Sequence, residues 1–197
     1  MHAIPLSALA ERRHAIANAI RNRKYERTPS GLYFPKIGGG LGIQGHFDVW
    51  VNGKDHSVEP NLIVNTGLNH LLSAALAGGA AISSWYVAPF SGNVTPSATV
   101  TAATFTATTT EATAYVEAAR VAWAYDAVGS QAISNNTTRA TFTINSSIAV
   151  YGAGILSAAA KTATTGTLLC YAKFSAVRNL ILDDVLTIKY TISATSS

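Results

Sequence analysis

The sequence predicts a mainly β protein: an antiparallel β-sandwich of jelly-roll or immunoglobulin-like type with one short internal helix, preceded by an N-terminal helical arm. Three observations carry that expectation. Downstream of residue 80, short apolar segments are separated by Gly, Asn and Ser turns, as strands in a sandwich or barrel are. Two segments alternate cleanly. Ala140, Phe142 and Ile144 oppose Arg139, Thr141 and Thr143, while Leu186, Ile188, Tyr190 and Ile192 oppose Thr187, Lys189 and Thr191. One face is therefore buried and the other wet, the mark of antiparallel sheets. The third observation is the charge split. Seven Lys/Arg against two Glu give +5 through Lys36, and seven against eight acidic residues give −1 beyond it, which together make the chain's +4.

The expected organisation is a basic arm with a Gly-rich connector over residues 1–44 and a sandwich over 45–197. Pro5 suits a first helical turn, and alanines at 3, 8, 10, 15, 17 and 19 favour a helix to about Lys24. Leu6, Leu9, Ile16 and Ile20 fall near one stripe of it. Arg12, Arg13, Arg21, Arg23, Lys24 and Arg27 supply its charge, with the cations near its C-terminus suiting the helix dipole. Thr28-Pro29-Ser30-Gly31 stops it. Six glycines and Pro35 between Gly31 and Gly45 read as an extended connector.

His46–Val51 alternates as a strand and ends in Asn52-Gly53, the strongest short hairpin signal. Leu62–Val64 is a short apolar strand. Asn65 or Thr66 can cap a helix from Gly67 to about Ala77 whose buried face would be Leu68, Leu71, Leu72, Ala75 and Leu76, ending at Gly78-Gly79. Everything beyond Ala80 reads as β. Ser84–Ala88 ends at Pro89, Thr95–Thr110 is a long loop or an edge, and Tyr115–Glu117 and Val121–Trp123 are strand pieces. Arg139–Ile144, Ile148–Tyr151, Leu168–Ala172 and Leu186–Ile192 follow as strands.

At 197 residues the chain is large enough to bury a core without disulfide or metal staples. Its 12% charged content is about half the usual ~25%, which suits a surface covered by other protein. Cys170 sits in an apolar run and reads as a buried thiol. Arg12, Arg13 and His14 interrupt any secretory signal core, and no apolar run is long enough to span a membrane.

Chemical motifs are sparse. Gly40-Leu41-Gly42-Ile43-Gln44-Gly45 matches a dinucleotide fingerprint, but a strand follows it where a helix is needed. The five histidines make no metal-ligand spacing. No nucleophile elbow exists. Asp183-Asp184 reads as a turn, and Glu111 and Glu117 stand isolated. The expectation is a non-enzymatic protein without cofactor or metal. The arm's stripe and charge together favour docking on an acidic protein surface. The alternatives are a solvated helix packed on its own body or, given its basic footprint, nucleic acid. Trp85, Tyr86 and Phe90, with Trp50 and Trp123, form either core or a sugar platform.

Pro60-Asn61-Leu62-Ile63-Val64-Asn65-Thr66-Gly67-Leu68-Asn69-His70-Leu71-Leu72, then Trp85–Asn93, Gly166–Leu169 and the closing Asp184–Ser193, follow an order that resembles small structural proteins of tailed bacteriophages. The likeness covers about residues 45 to 197. It implies a virion component: a tail, collar or fibre-attachment part docking by its arm or, alternatively, a capsid decoration protein. Such proteins often form symmetric oligomers and contact capsid, portal or tail proteins. A further alternative is a carbohydrate-binding module at a fibre tip, using Trp85, Tyr86 and Trp123.

Overall fold

The computed structural model describes residues 25–27, 33–35 and 41–196. The chain divides into two compact units. The smaller holds β1 (Tyr25–Arg27) and β2 (Tyr33–Pro35), an antiparallel pair with Glu26 opposite Phe34. The helix expected over Pro5–Lys24 lies outside the described residues. The connector expected from Gly31 to Gly45 is corrected at both ends, since Tyr33–Pro35 is a paired strand and Leu41–Gly45 opens the next one.

The larger unit, Gly42–Thr195, is mainly β and built from two antiparallel sheets. The first sheet contains β3 (Leu41–Val51), β4 (Lys54–Pro60), β8 (Ala132–Ser134), β9 (Ala140–Thr143) and β12 (Val185–Ser196). Its order is β4-β3-β12, with β8 and β9 pairing different lengths of β12. The β3–β4 hairpin turns at Asn52-Gly53 with φ of 50° and 71°. Two successive positive φ values define the tight turn that Asn-Gly favours. The second sheet runs β5 (Leu62–Ile63), β11 (Leu168–Leu180), β10 (Ile148–Leu156), β6 (Tyr86–Phe90) and β7 (Val121–Ala122). β6 continues through Pro89, where the sequence reading ended it. The Pro89 carbonyl accepts from Ala112 N, on the side away from β10, so the missing N–H costs the β6–β10 ladder nothing.

Between the sheets, Phe47, Phe142, Leu186, Ile188 and Tyr190 of the first pack against Val87, Ala153, Ile155, Cys170 and Ala172 of the second. The second sheet has another core on its far face. There Phe90, Leu156, Leu168 and Tyr171 lie under Val100 and Phe105. Phe105 meets Tyr171 edge-on, with ring centroids 6.1 Å apart. Burial on both faces explains why Val87–Phe90, Gly152–Leu156 and Leu168–Ala172 are buried throughout and do not alternate.

Phe105 belongs to a helix, α2 (Ala102–Thr109). The stretch 95–110 read as a loop or an edge is thereby corrected, and the described residues hold two helices, not one. Threonine is a weak helix former. What holds α2 is the burial of Ala102, Phe105 and Thr109 and a capping box between Thr101 and Thr104.

The first helix, α1, spans Asn65–Leu76. Val64 stands at its N-cap without a side-chain cap bond, so Asn65 and Thr66 lie inside the first turn. Thr66 Oγ1 instead donates to the Leu168 carbonyl at 3.1 Å. The face expected to be buried is largely open: Leu68 is 37% exposed, Leu72 53% and Leu76 81%. The buried residue of α1 is Gly67, which touches the β11 backbone so closely that a Cβ would lie 2.1 Å from the Leu169 carbonyl oxygen. That contact turns Leu71 toward the core and leaves Leu68, Leu72 and Leu76 pointing away from it.

Candidate docking surface

Asn61–Thr110 contains no Asp, Glu, Lys or Arg. The stretch builds α1, β6 and α2, and α1 presents its leucines to solvent without a charged neighbour on the same helix. Beside α1 lie two apolar depressions of about 250 and 330 Å³. The first is bounded by His70, Leu71, Ile82, Trp85, Trp123 and Tyr125. The second is bounded by Ile43, Leu71, Val128, Ile133 and Ile192, and Leu71, Ile133 and Ile192 line both. Both lie between α1 and the stretch where β8 pairs with Thr191–Ser193 of β12.

The floor is rigid. Trp123 Nε1 donates to the Tyr190 carbonyl at 3.1 Å, and its ring lies 5.3 Å from that of Tyr190. His70 meets Trp85 edge-on at 5.5 Å. Trp85 and Trp123 are only 7% and 5% exposed, and Phe90 is sealed in the second core. Trp85, Trp123 and Phe90 are therefore core, the first of the two readings their sequence allowed. Trp50 lies elsewhere, stacked on His56 at 4.6 Å with the Arg139 guanidinium 4.4 Å from its ring centre.

A polar cluster occupies the solvent side of the first sheet. Asp48 accepts from His56 Nε2 at 2.9 Å, pairs with Lys189 Nζ at 2.9 Å and has His46 Nε2 at 3.5 Å. Burial raises the Asp48 pKa, but the Lys189 and His56 contacts outweigh it and hold the carboxyl below its ordinary value. His46 and Asp48 share a strand face, as alternation requires, and His56 reaches Asp48 from the neighbouring β4. Among the described residues no group of three or more His, Cys, Asp or Glu is placed to hold a metal ion.

Two glutamates that look isolated in sequence are not. Glu111 is sealed with Arg120, and both Glu117 oxygens accept from Thr143 N at 3.1 and 3.2 Å. Asp184 accepts from Ile181 N at 2.8 Å in a turn where Asp183 has φ 68°. Glu59 of β4 takes Ser175 N and Oγ of β11, each at 2.8 Å, and so ties the first sheet to the second.

Of the arm residues expected to dock, Leu6, Leu9, Arg12, Arg13, Ile16, Ile20, Arg21, Arg23 and Lys24 lie outside the described residues, and Arg27 is the last residue of β1. Sequence reasoning missed the open face of α1, although the uncharged run from Asn61 to Thr110 signalled it. Among the described residues no helix is long and apolar enough to cross a membrane. The fold and this surface define a β-sandwich with an open, uncharged apolar face. No protein-family model matches the chain, and no curated protein matches it in sequence.

Proposed function

We propose that the protein is a non-enzymatic structural component of a bacteriophage virion, a tail, collar or fibre-attachment part that assembles with copies of itself and docks on a neighbouring virion protein through its basic N-terminal arm. The observation that carries the reading is the open face of α1 with the two depressions beside it. Apolar surface of this kind on a chain so poor in charge is what an assembly contact requires. The confinement of the positive surplus to the first 36 residues supports a separate docking arm, and the phage resemblance supports the virion setting. Capsid decoration remains the second reading, because low charge and strong β content serve a shell decorator equally. The glycan reading loses its support with the burial of Trp85 and Trp123.

Deleting residues 5–36 tests the reading. The truncated chain is expected to keep its β circular-dichroism spectrum and to be lost from particles, as counted by quantitative mass spectrometry of purified virions. Incorporation at wild-type copy number would sink the arm assignment. Copy number separates the two readings, since shell decorators far outnumber tail parts.

A further inference from the structure

We propose that α1 is the surface through which two copies of this chain meet, with the Leu68, Leu72 and Leu76 stripe packed against the same stripe of a second copy across a two-fold axis. The inference rests on the structural reading above and deepens it, because it assigns self-association to one face.

The stripe has the geometry for such a contact. Leucines at i, i+4 and i+8 form one ridge of the helix, about 12 Å long at ~1.5 Å per residue. Ridges of this kind interdigitate between helices crossed at roughly −50°. The three leucines become progressively more exposed toward the C-terminal end of α1, and among the described residues nothing covers them.

Charge selects a second copy as the occupant. In a two-fold contact the same patch meets itself, so a charged patch faces its own sign. Other faces of the body bring charges such as Lys54, Arg139 and Lys173 to the surface. The run from Asn61 to Thr110 has no Asp, Glu, Lys or Arg, so α1 is where two identical copies approach without repulsion. The same lack of charge leaves a basic or acidic partner nothing to recognise there.

The sheet edges are closed to the other route of self-association, strand addition. β4 carries Lys54, Asp55, Glu59 and Pro60, and β5, β7 and β8 are only two or three residues long. Area sets the extent of the contact. Three leucines fall short of the ~800 Å² a side that a stable interface buries. The interface therefore reaches across Leu71 and the depressions to Val128, itself 73% exposed.

The test uses the full-length chain. Light scattering over micromolar concentrations is expected to give the wild type as a dimer or an even-numbered oligomer. L72E and L76E are each expected to halve its mass with circular dichroism unchanged, because both side chains point away from the protein's own core. L72C is expected to form a disulfide-linked dimer under mild oxidation, whereas V58C, exposed on β4, forms none. The native Cys170 is buried and does not compete. A monomeric wild type, or an oligomer indifferent to both glutamates, overturns the proposal. So does an oligomer that disappears when residues 5–36 are removed, since the arm would then be the occupant. A truncated chain that still dimerises but enters particles normally defeats the arm reading and leaves the α1 contact standing.

Discussion

Arg120 holds Glu111 in a forked ion pair, with Nε donating to Oε1 at 2.8 Å and Nη2 to Oε2 at 2.6 Å, and neither side chain reaches solvent. The pair gathers three separate segments. Thr106 Oγ1 of α2 and Thr162 N donate to Glu111 Oε2, and Arg120 donates to the carbonyls of Ala158 and Ala163. Desolvating two charges costs several kcal/mol, and it is offset here by the fork itself and by the further bonds that Glu111 Oε2 and both Arg120 Nη atoms make.

Removing one member should therefore be worse than removing both. Arg120→Met is expected to cost about 3–5 kcal/mol by leaving a buried carboxylate unpaired. Arg120→Met with Glu111→Leu should cost clearly less than the sum of the single changes. Urea unfolding of the two single variants and the double variant measures this, and strict additivity would contradict the account.

Asn135 fills a gap in a sheet. Along β12, β9 pairs Val185–Ile188 and β8 pairs Thr191–Ser193, leaving the middle without a strand. The Asn135 side chain takes that place, accepting from Tyr190 N at 2.8 Å and donating to the Ile188 carbonyl at 3.3 Å. Asn135→Ala would leave the Tyr190 N–H buried and unpaired, at about 1–3 kcal/mol, and would remove a second bond to the Ile188 carbonyl, which β9 also pairs. Asn135→Asp should fail as well, because a carboxylate cannot donate to Ile188. Thermal melting of both variants checks this.

Asp48 sets an acid limit on stability. Its folded pKa lies below the ordinary 3.8, with burial opposing the shift and Lys189 and His56 producing it. A depressed carboxyl contributes stability that is present above its unfolded pKa and lost as pH falls through the folded one. The protein is expected to lose stability below about pH 4, and Asp48→Asn should flatten that limb while lowering stability at neutral pH. An unchanged acid limb in the variant would assign the loss to other carboxyls.

Gly67→Ala should loosen α1. The added Cβ falls 2.1 Å from the Leu169 carbonyl oxygen, which is strand backbone and cannot swing aside. Overpacking of this kind costs about 1–3 kcal/mol. Hydrogen exchange is expected to quicken over Asn65–Leu76 more than in β10 or β11. Uniform quickening throughout the sandwich would show that α1 is integral to the core.

Several elements were legible in the chain for local reasons. Asn52-Gly53 specified its hairpin because the two residues tolerate the positive φ that the turn demands. The alternation of Ala140–Ile144 and Leu186–Ile192 identified inner and outer faces because those strands are covered on one side only. β8 gave no signal, since three residues carry too little pattern to register. α2 was hidden behind its threonines, and its helical state depends on a sheet surface waiting for Phe105. The open face of α1 was misjudged from its period alone. Periodicity tells which leucines lie together, but not whether anything stands opposite them.

The sequence by itself determined the β class, the turn at Asn52-Gly53, the existence of α1 and the concentration of the positive surplus in the first 36 residues. Each is written in neighbouring residues through backbone preference, spacing or charge. Only the tertiary structure decided that the second sheet is buried on both faces, that Glu111 finds Arg120, that Asn135 stands in for a strand and that Gly67 turns the leucines of α1 outward. Those outcomes depend on groups distant in the chain meeting at a few ångströms, and short-range pattern holds no information about such meetings.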